Sequence, residues 1–230
     1  YEAGQSCVGD HFALFVENCV PDSYEQEARV RGISIHQLLS EKLSTYKAGA
    51  SVLLALDWFN GVRTPLMDFN LNGLIMGMNL LTKPEEIYLS LIEATAYGTR
   101  MIIEGFEEAG LEVKDITLSG GIPIKNEMLV QVYSDVCNRK IKVVDSTQSS
   151  ALVAAILGAA AAPERITGFK NANEAAKKLG KVKDKVWEPN QDNVEIYNEL
   201  YEEYKTLHTY FGTGINDVMK HLNNIRERRK

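Results

Sequence analysis

Two adjacent glycines, Gly120 and Gly121, stand between a β-like run, Val113 to Leu118, and a helical stretch read from Lys125-Asn126 to Val136. Glycine lacks the Cβ that would keep a flat ligand off the backbone, and a helix N-terminus offers unpaired N–H groups and a positive dipole end. Open α/β sheets hold their ligands at such strand ends. By spacing alone, Ser119-Gly120-Gly121 serves a ligand or an ordinary strand-to-helix turn equally well. Gly4-Gln5-Ser6, ahead of another helix, is a second place where amides can meet a phosphate or a base. It also reads as a plain helix start capped by Ser6 or Asp10. The third is Asp57-Trp58-Phe59-Asn60-Gly61-Val62-Arg63-Thr64-Pro65. There Asp57 suits a sugar hydroxyl, a metal or a partner loop and Arg63 suits an anion, or both simply tie down the turn.

Other chemistries find no residues. No Ser-His-Asp or Cys-His arrangement and no metal-ligand spacing is present; His11, His36, His208 and His221 all fall on helical stretches. A GxxxxGK[ST] loop is absent, which excludes a P-loop mechanism within this chain.

The elements that must position these residues follow from periodicity. Phe12, Phe15, Val16 and Cys19 share one helical face, and Pro21 ends that helix. Ser34 and Gln37 form a capping-box pattern ahead of Ile35, Leu38, Leu39 and Leu43, with Ala48-Gly49-Ala50 as the stop. Val52 to Leu56 is β-like, and Leu66 to Leu81 reads as loop with short elements. Thr82 as N-cap and Glu85 as its box partner start the longest helix, which runs to about Ala109 and stops at Gly110. Its small residues Ala94, Ala96 and Gly98 let another backbone approach closely. Lys140 to Val144 is the next strand, and Ser146/Thr147 cap an alanine-rich core helix, Ala151 to Ala162. This alternation predicts an α/β fold with parallel strand pairing. After Pro163 the chain turns polar and lysine-rich. Val194, Tyr197, Leu200/Tyr201, Tyr204, Leu207/His208 and Phe211 then mark a long amphipathic helix, broken at Gly212 and Gly214 and followed by a final polar helix.

Composition narrows the class. The chain has 230 residues, 45% apolar and 24% charged, with a formal net charge of -6, enough for one substantial core. The acidic balance argues against nucleic acid, and the basic cluster at Arg226–Lys230 reads as a solvated helix end. Three separated cysteines, Cys7, Cys19 and Cys137, fit free thiols in the cytoplasm. No apolar run reaches membrane-spanning length. The opening Tyr1-Glu2-Ala3-Gly4-Gln5, without an initiating Met, reads as the interior of a longer chain.

Several segments in order also resemble the FGGY family of carbohydrate kinases: Tyr1 to Phe12, Phe15 to Pro21, Leu54 to Gly61 with Arg63-Thr64-Pro65, Thr82 to Tyr88, Ile92 to Arg100, and Gly120-Gly121 with Lys125, Asn126 and Gln131. The tail around Tyr197, Tyr201, Tyr204 and Phe211-Gly212 is similar as well. The resemblance implies an actin-like (ribonuclease H-like) ATPase domain with appended C-terminal helices: a nucleotide-binding half over residues 1–162 and a helical extension over 163–230. It implies ATP and Mg2+ as cofactors and a ketopentose as substrate, L-ribulose first, with xylulose or a non-catalytic nucleotide-binding module as alternatives. Gly120, Gly121, Lys125 and Asn126 would border the adenosine, Gly4 would lie near the nucleotide, and Glu2 would face the sugar. The family's catalytic Asp and its phosphate hairpins would come from an N-terminal kinase domain upstream of Tyr1, so no catalytic residue and no metal ligand is assigned within this chain, and the chain alone would be inactive. A homodimer is left open. Two departures stand out: Val153, where the family has Gly, and Phe59 within Asp-Trp-x-Asn-Gly.

Overall fold

A computed structural model describes residues 2–229; Tyr1 of the opening motif and Lys230 of the basic cluster lie outside them. In chain order the elements are α1 (Asp10–Cys19), α2 (Asp22–Arg31), α3 (Ile35–Lys42), β1 (Leu54–Leu56), β2 (Leu74–Met76), α4 (Pro84–Glu108), β3 (Asp115–Leu118), α5 (Gly121–Lys125), α6 (Glu127–Cys137), β4 (Lys140–Val144), α7 (Ser149–Ala161), α8 (Glu164–Thr167), α9 (Ala172–Leu179), β5 (Val182–Trp187), α10 (Gln191–Gly212) and α11 (Val218–Glu227). They form two compact units. The first comprises residues 1–113, 135–138 and 189–230; the second comprises 114–134 and 139–188. These boundaries differ from the break at residue 162 read from the change in composition.

The first unit is built on α4. From Tyr88 to Tyr97 every residue of this helix is buried, the all-round burial expected of a helix that crosses the centre of a domain. Leu38, Leu39, Leu56, Leu71 and Tyr201 pack into the same core, each with 2% exposure or less. The β1 strand is wholly buried and pairs antiparallel with β2, Ala55 opposite Ile75. The start of α4 lies one residue beyond the predicted one. Lys83 is the N-cap, and its backbone N–H donates to the Glu86 carboxylate at 2.7 Å. Thr82 is used outside the helix, its hydroxyl accepting from the Asn79 amide at 2.9 Å, and Glu85 is buried and accepts from the Tyr24 hydroxyl at 2.8 Å. The C-terminus matches the sequence: the Gly110 and Leu111 amides return to the Glu107 and Phe106 carbonyls, with Gly110 at φ 85. Ser34 caps α3 as predicted, accepting from the Gln37 amide at 3.1 Å, while the Gln37 side chain turns instead to Glu41.

The second unit is a three-stranded sheet in the order β3-β4-β5 with helices around it. The β3 and β4 strands pair in parallel, as the strand–helix–strand pattern requires, with Ile116 opposite Ile141. The predicted Lys125–Val136 helix is divided: α5 is a single turn from Gly121, and Asn126 breaks the helix and caps α6, its Oδ1 accepting from the Leu129 amide at 3.0 Å. The β5 strand, antiparallel to β4, went unread because Lys183, Asp184 and Lys185 interrupt its apolar residues; only Trp187 is buried. The α7 helix is not a core helix within this unit. Ile156 is its one buried residue, and Gln148 rather than Ser146 or Thr147 occupies its N-cap. Val153 is accordingly exposed.

Candidate functional site

The β3 strand delivers Ser119-Gly120-Gly121 at its carboxyl end, and the two glycines do different work. Gly120 sits at φ 103, ψ -179, a region that only glycine occupies without strain. Its amide donates to Ser149 Oγ at 3.3 Å, and that hydroxyl donates to the Ser146 carbonyl at 3.0 Å, tying the turn to the start of α7. No positive φ constrains Gly121, and a Cβ built there meets nothing within 4 Å. The fold therefore does not need a glycine at 121, which leaves a bare, open stretch of backbone. Exposed Lys125 and half-buried Asn126 follow within the same few residues. Bare backbone beside a lone ammonium suits a flat, anionic ligand. Asn126 spends its side-chain oxygen on the α6 cap, which leaves its side-chain NH2 as the group it can offer a ligand.

Glu2 and Gly4 belong to the first unit. The Gly4 amide donates to Thr64 Oγ1 at 3.2 Å, and the Thr64 amide donates to the Gly4 carbonyl at 3.1 Å. A Cβ on Gly4 would crowd the Arg63 side chain at 3.0–3.3 Å. Gly4 is thus a close-approach glycine whose own amide is already committed. Glu2 is exposed and pairs with Arg63 at 3.1 Å. Gln5 is held from three directions. Its Nε2 donates to Asp57 Oδ2 at 3.0 Å and to the Thr95 carbonyl at 2.9 Å, while its Oε1 accepts from the Thr99 hydroxyl at 2.9 Å.

Asp57 and Arg63, read from sequence as ligand groups or turn ties, both have protein partners. Asp57 is buried at 6% exposure, and burial pushes its carboxyl up to about 6. Its Oδ1 accepts from the Tyr204 hydroxyl at 3.1 Å. A small polar pocket under this loop is lined by Gln5, Ser6, Asp57, Arg63, Tyr204 and His208. Within it, buried Ser6 Oγ and His208 Nε2 have no hydrogen-bond partner among the described residues. Burial lowers the His208 and His11 imidazoles to about 4, so both are neutral at physiological pH. The Cys7 thiol and His11 Nδ1 lie 3.3 Å apart but closed off in the core.

Sequence reasoning did not find Tyr204 or Gln5 as anchors. The available signal was Gly98, singled out as a close-approach residue; what approaches it is the Gln5 side chain, with the Asp57 carboxylate 3.0 Å from where its Cβ would lie. Phe59 is accommodated by another glycine, Gly73, whose missing Cβ leaves room for its ring. Among the described residues no group of three His, Cys, Asp or Glu side chains is placed to hold a metal ion, and no helix is long and apolar enough to cross a membrane.

Solved sugar kinases share this architecture. A xylulose kinase from Rhodospirillum rubrum superposes with a TM-score of 0.67 at 20% identity over 89% of this chain and 38% of its own. A glycerol kinase with ADP from Plasmodium falciparum gives 0.61 at 20% identity over 81% and 36%. That likeness establishes the fold class, the actin-like ATPase fold of sugar kinases. The chain belongs to the FGGY family of carbohydrate kinases: the model of the family's C-terminal domain matches residues 1–162. Among curated proteins it is 50% identical to the ribulokinase of Bacillus licheniformis over 226 residues, which is 98% of this chain and 41% of that protein. The ribulokinase of Mycolicibacterium smegmatis is 42% identical over 98% of this chain and 39% of its own length. The chain thus spans about two fifths of the length of the curated relatives it matches.

Proposed function

We propose that this chain is the nucleotide-binding part of an ATP-dependent cytoplasmic L-ribulokinase that makes L-ribulose 5-phosphate, with residues 1–162 as the C-terminal, nucleotide-binding half of its kinase and 163–230, which carries β5 as well as helices, as an appended extension. The observation that carries the proposal is the 50% identity to ribulokinase across 98% of the chain. Phosphoryl transfer asks a protein for positioning and charge stabilisation more than for covalent chemistry, and the residues here suit the positioning of a nucleotide. In the second unit, open Gly121, with Gly120, would take the adenosine against bare backbone, and Lys125 and Asn126 would flank it; in the first unit, Gly4 is assigned to the nucleotide and Glu2 to the sugar. ATP supplies the transferred phosphoryl group. Mg2+ would arrive with the phosphates, held by their oxygens together with waters and one or two carboxylates. No side chain of this chain is assigned to the metal or to the base that deprotonates the sugar hydroxyl, and both are assigned to the N-terminal kinase domain.

The test is a coupled kinase assay of the full-length protein across ketopentoses. L-Ribulose should give the highest kcat/KM. Preference for D-xylulose, or absence of turnover with every ketopentose, would overturn the assignment. In the same protein, Gly121→Leu should raise KM for ATP by about tenfold or more, because a side chain there takes the ligand's space. KM for the sugar should stay within about twofold.

A further inference from the structure

The α10 helix lies wholly beyond residue 162, where the family match ends. It is nonetheless the element that presses on the loop carrying Asp57 and Trp58. The Tyr204 hydroxyl donates to Asp57 Oδ1 at 3.1 Å. The His208 ring meets the Trp58 indole edge-on at 5.3 Å between centroids. Gly212 comes so close that a Cβ there would collide with Leu66 and touch Trp58 at 3.3 Å. From Asp57 the contacts continue: its second oxygen accepts from Gln5 Nε2, and Gln5 adjoins Gly4.

We propose that α10 is a positioning element for the Gly4 loop, acting through Tyr204 and Asp57 on Gln5, and so a determinant of nucleotide binding that lies outside the family domain. The proposal rests on the nucleotide reading given above. The bonding leaves little freedom. The Gln5 amide must donate toward Asp57 and the Thr95 carbonyl while accepting from Thr99, which fixes both its position and its flip. A buried carboxylate that loses the Tyr204 donor has an unsatisfied oxygen, and it re-aims rather than remain so. Gln5, bonded to the other oxygen of the same carboxylate, moves with it.

The α10 helix supplies its own control. Tyr201 also donates to a carboxylate, Glu104, at 2.7 Å, and touches neither Asp57 nor Gln5 in any hydrogen bond. In the full-length protein, Tyr204→Phe should raise KM for ATP about fivefold, the scale of one lost hydrogen bond, with KM for the sugar within about twofold. Tyr201→Phe, the same chemical change on the same helix, should leave both constants unchanged. Equal effects of the two substitutions, or an unmoved KM for ATP in Tyr204→Phe, would overturn the proposal. Gly121→Leu, measured in parallel, separates the two claims. If it leaves KM for ATP unchanged, the nucleotide reading falls and this proposal with it. If it raises KM for ATP while Tyr204→Phe does not, only the positioning role falls. Should Tyr204→Phe fail to fold, Asp57→Ala is read against the same expectations, since it removes the carboxylate through which Tyr204 reaches Gln5.

Discussion

Tyr197 on α10 donates a 3.1 Å hydrogen bond to Glu93 on α4, joining a tyrosine and a carboxyl that are both buried in the first unit. Burial pushes the Glu93 carboxyl up to about 8 from an ordinary 4.5, although the Tyr197 bond pulls the other way. Tyr97, one helical turn along α4, is buried as well, and burial raises its phenol well above the usual range. Folding therefore protects a protonated Glu93 that the unfolded chain would ionise near 4.5. The stabilisation is complete below that value and is lost as pH rises through about 8. Asp57 acts with the same sign in a lower window, between 3.8 and about 6. Melting temperature should thus fall as pH is raised from 7 to 9, above the window between about 4 and 6.5 in which the lowered imidazoles of His11 and His208 act with the opposite sign. Glu93→Gln keeps an acceptor for Tyr197 but cannot ionise. At pH 9 it should be more stable than the parent sequence by on the order of 1–3 kcal/mol, and at pH 5 equal or slightly less stable. Calorimetry at both pH values measures this; a variant less stable at pH 9 would sink the account.

The two glycines of the turn should respond oppositely to alanine. Gly120→Ala forces a Cβ onto a backbone at φ 103 and should cost about 1–3 kcal/mol. Gly121→Ala adds a methyl group to open space at the start of α5 and should change stability by less than about 0.5 kcal/mol. Urea unfolding of the two variants decides it, and similar losses at both positions would show that Gly121 is held for the fold.

The division between what could and could not be read from sequence follows the range of the interactions. The α4 helix ends at Gly110 as its pattern required, because a left-handed C-terminal residue is a local matter. The parallel β3–β4 pair was legible for the same reason: one strand, one short helical stretch and another strand leave few alternatives. The start of α4 was misplaced because Thr82 and Glu85 fit a capping box locally, whereas Tyr24, distant in sequence, takes Glu85 for itself. The β5 strand escaped because strand character there depends on β4 beside it rather than on its own alternation. The glycine turn and the Gly4 loop were visible as candidates. The Tyr204–Asp57–Gln5 chain was not, since it joins residues 147 and 52 positions apart.

The glycines of α4 offer a last contrast. Both stand inside one helix, where glycine normally costs about 0.5–1 kcal/mol against alanine. Gly105 faces solvent, and a Cβ there meets nothing within 4 Å, so Gly105→Ala should stabilise the chain by about that amount. At Gly98 a Cβ would strike the Gln5 side-chain amide and approach Asp57 Oδ2 to 3.0 Å. Gly98→Ala gains the same helix propensity but must expel Gln5 from its bonds to Asp57, Thr95 and Thr99, each worth about 1 kcal/mol net. The losses outweigh the gain, and the variant should be destabilised by roughly 1–3 kcal/mol. In the full-length protein it should also weaken ATP binding in the same direction as Tyr204→Phe, since both displace Gln5. Urea unfolding with nucleotide titration of the two alanine variants tests the pair. A Gly98→Ala protein as stable as Gly105→Ala would mean that Gln5 is not seated against this helix in solution.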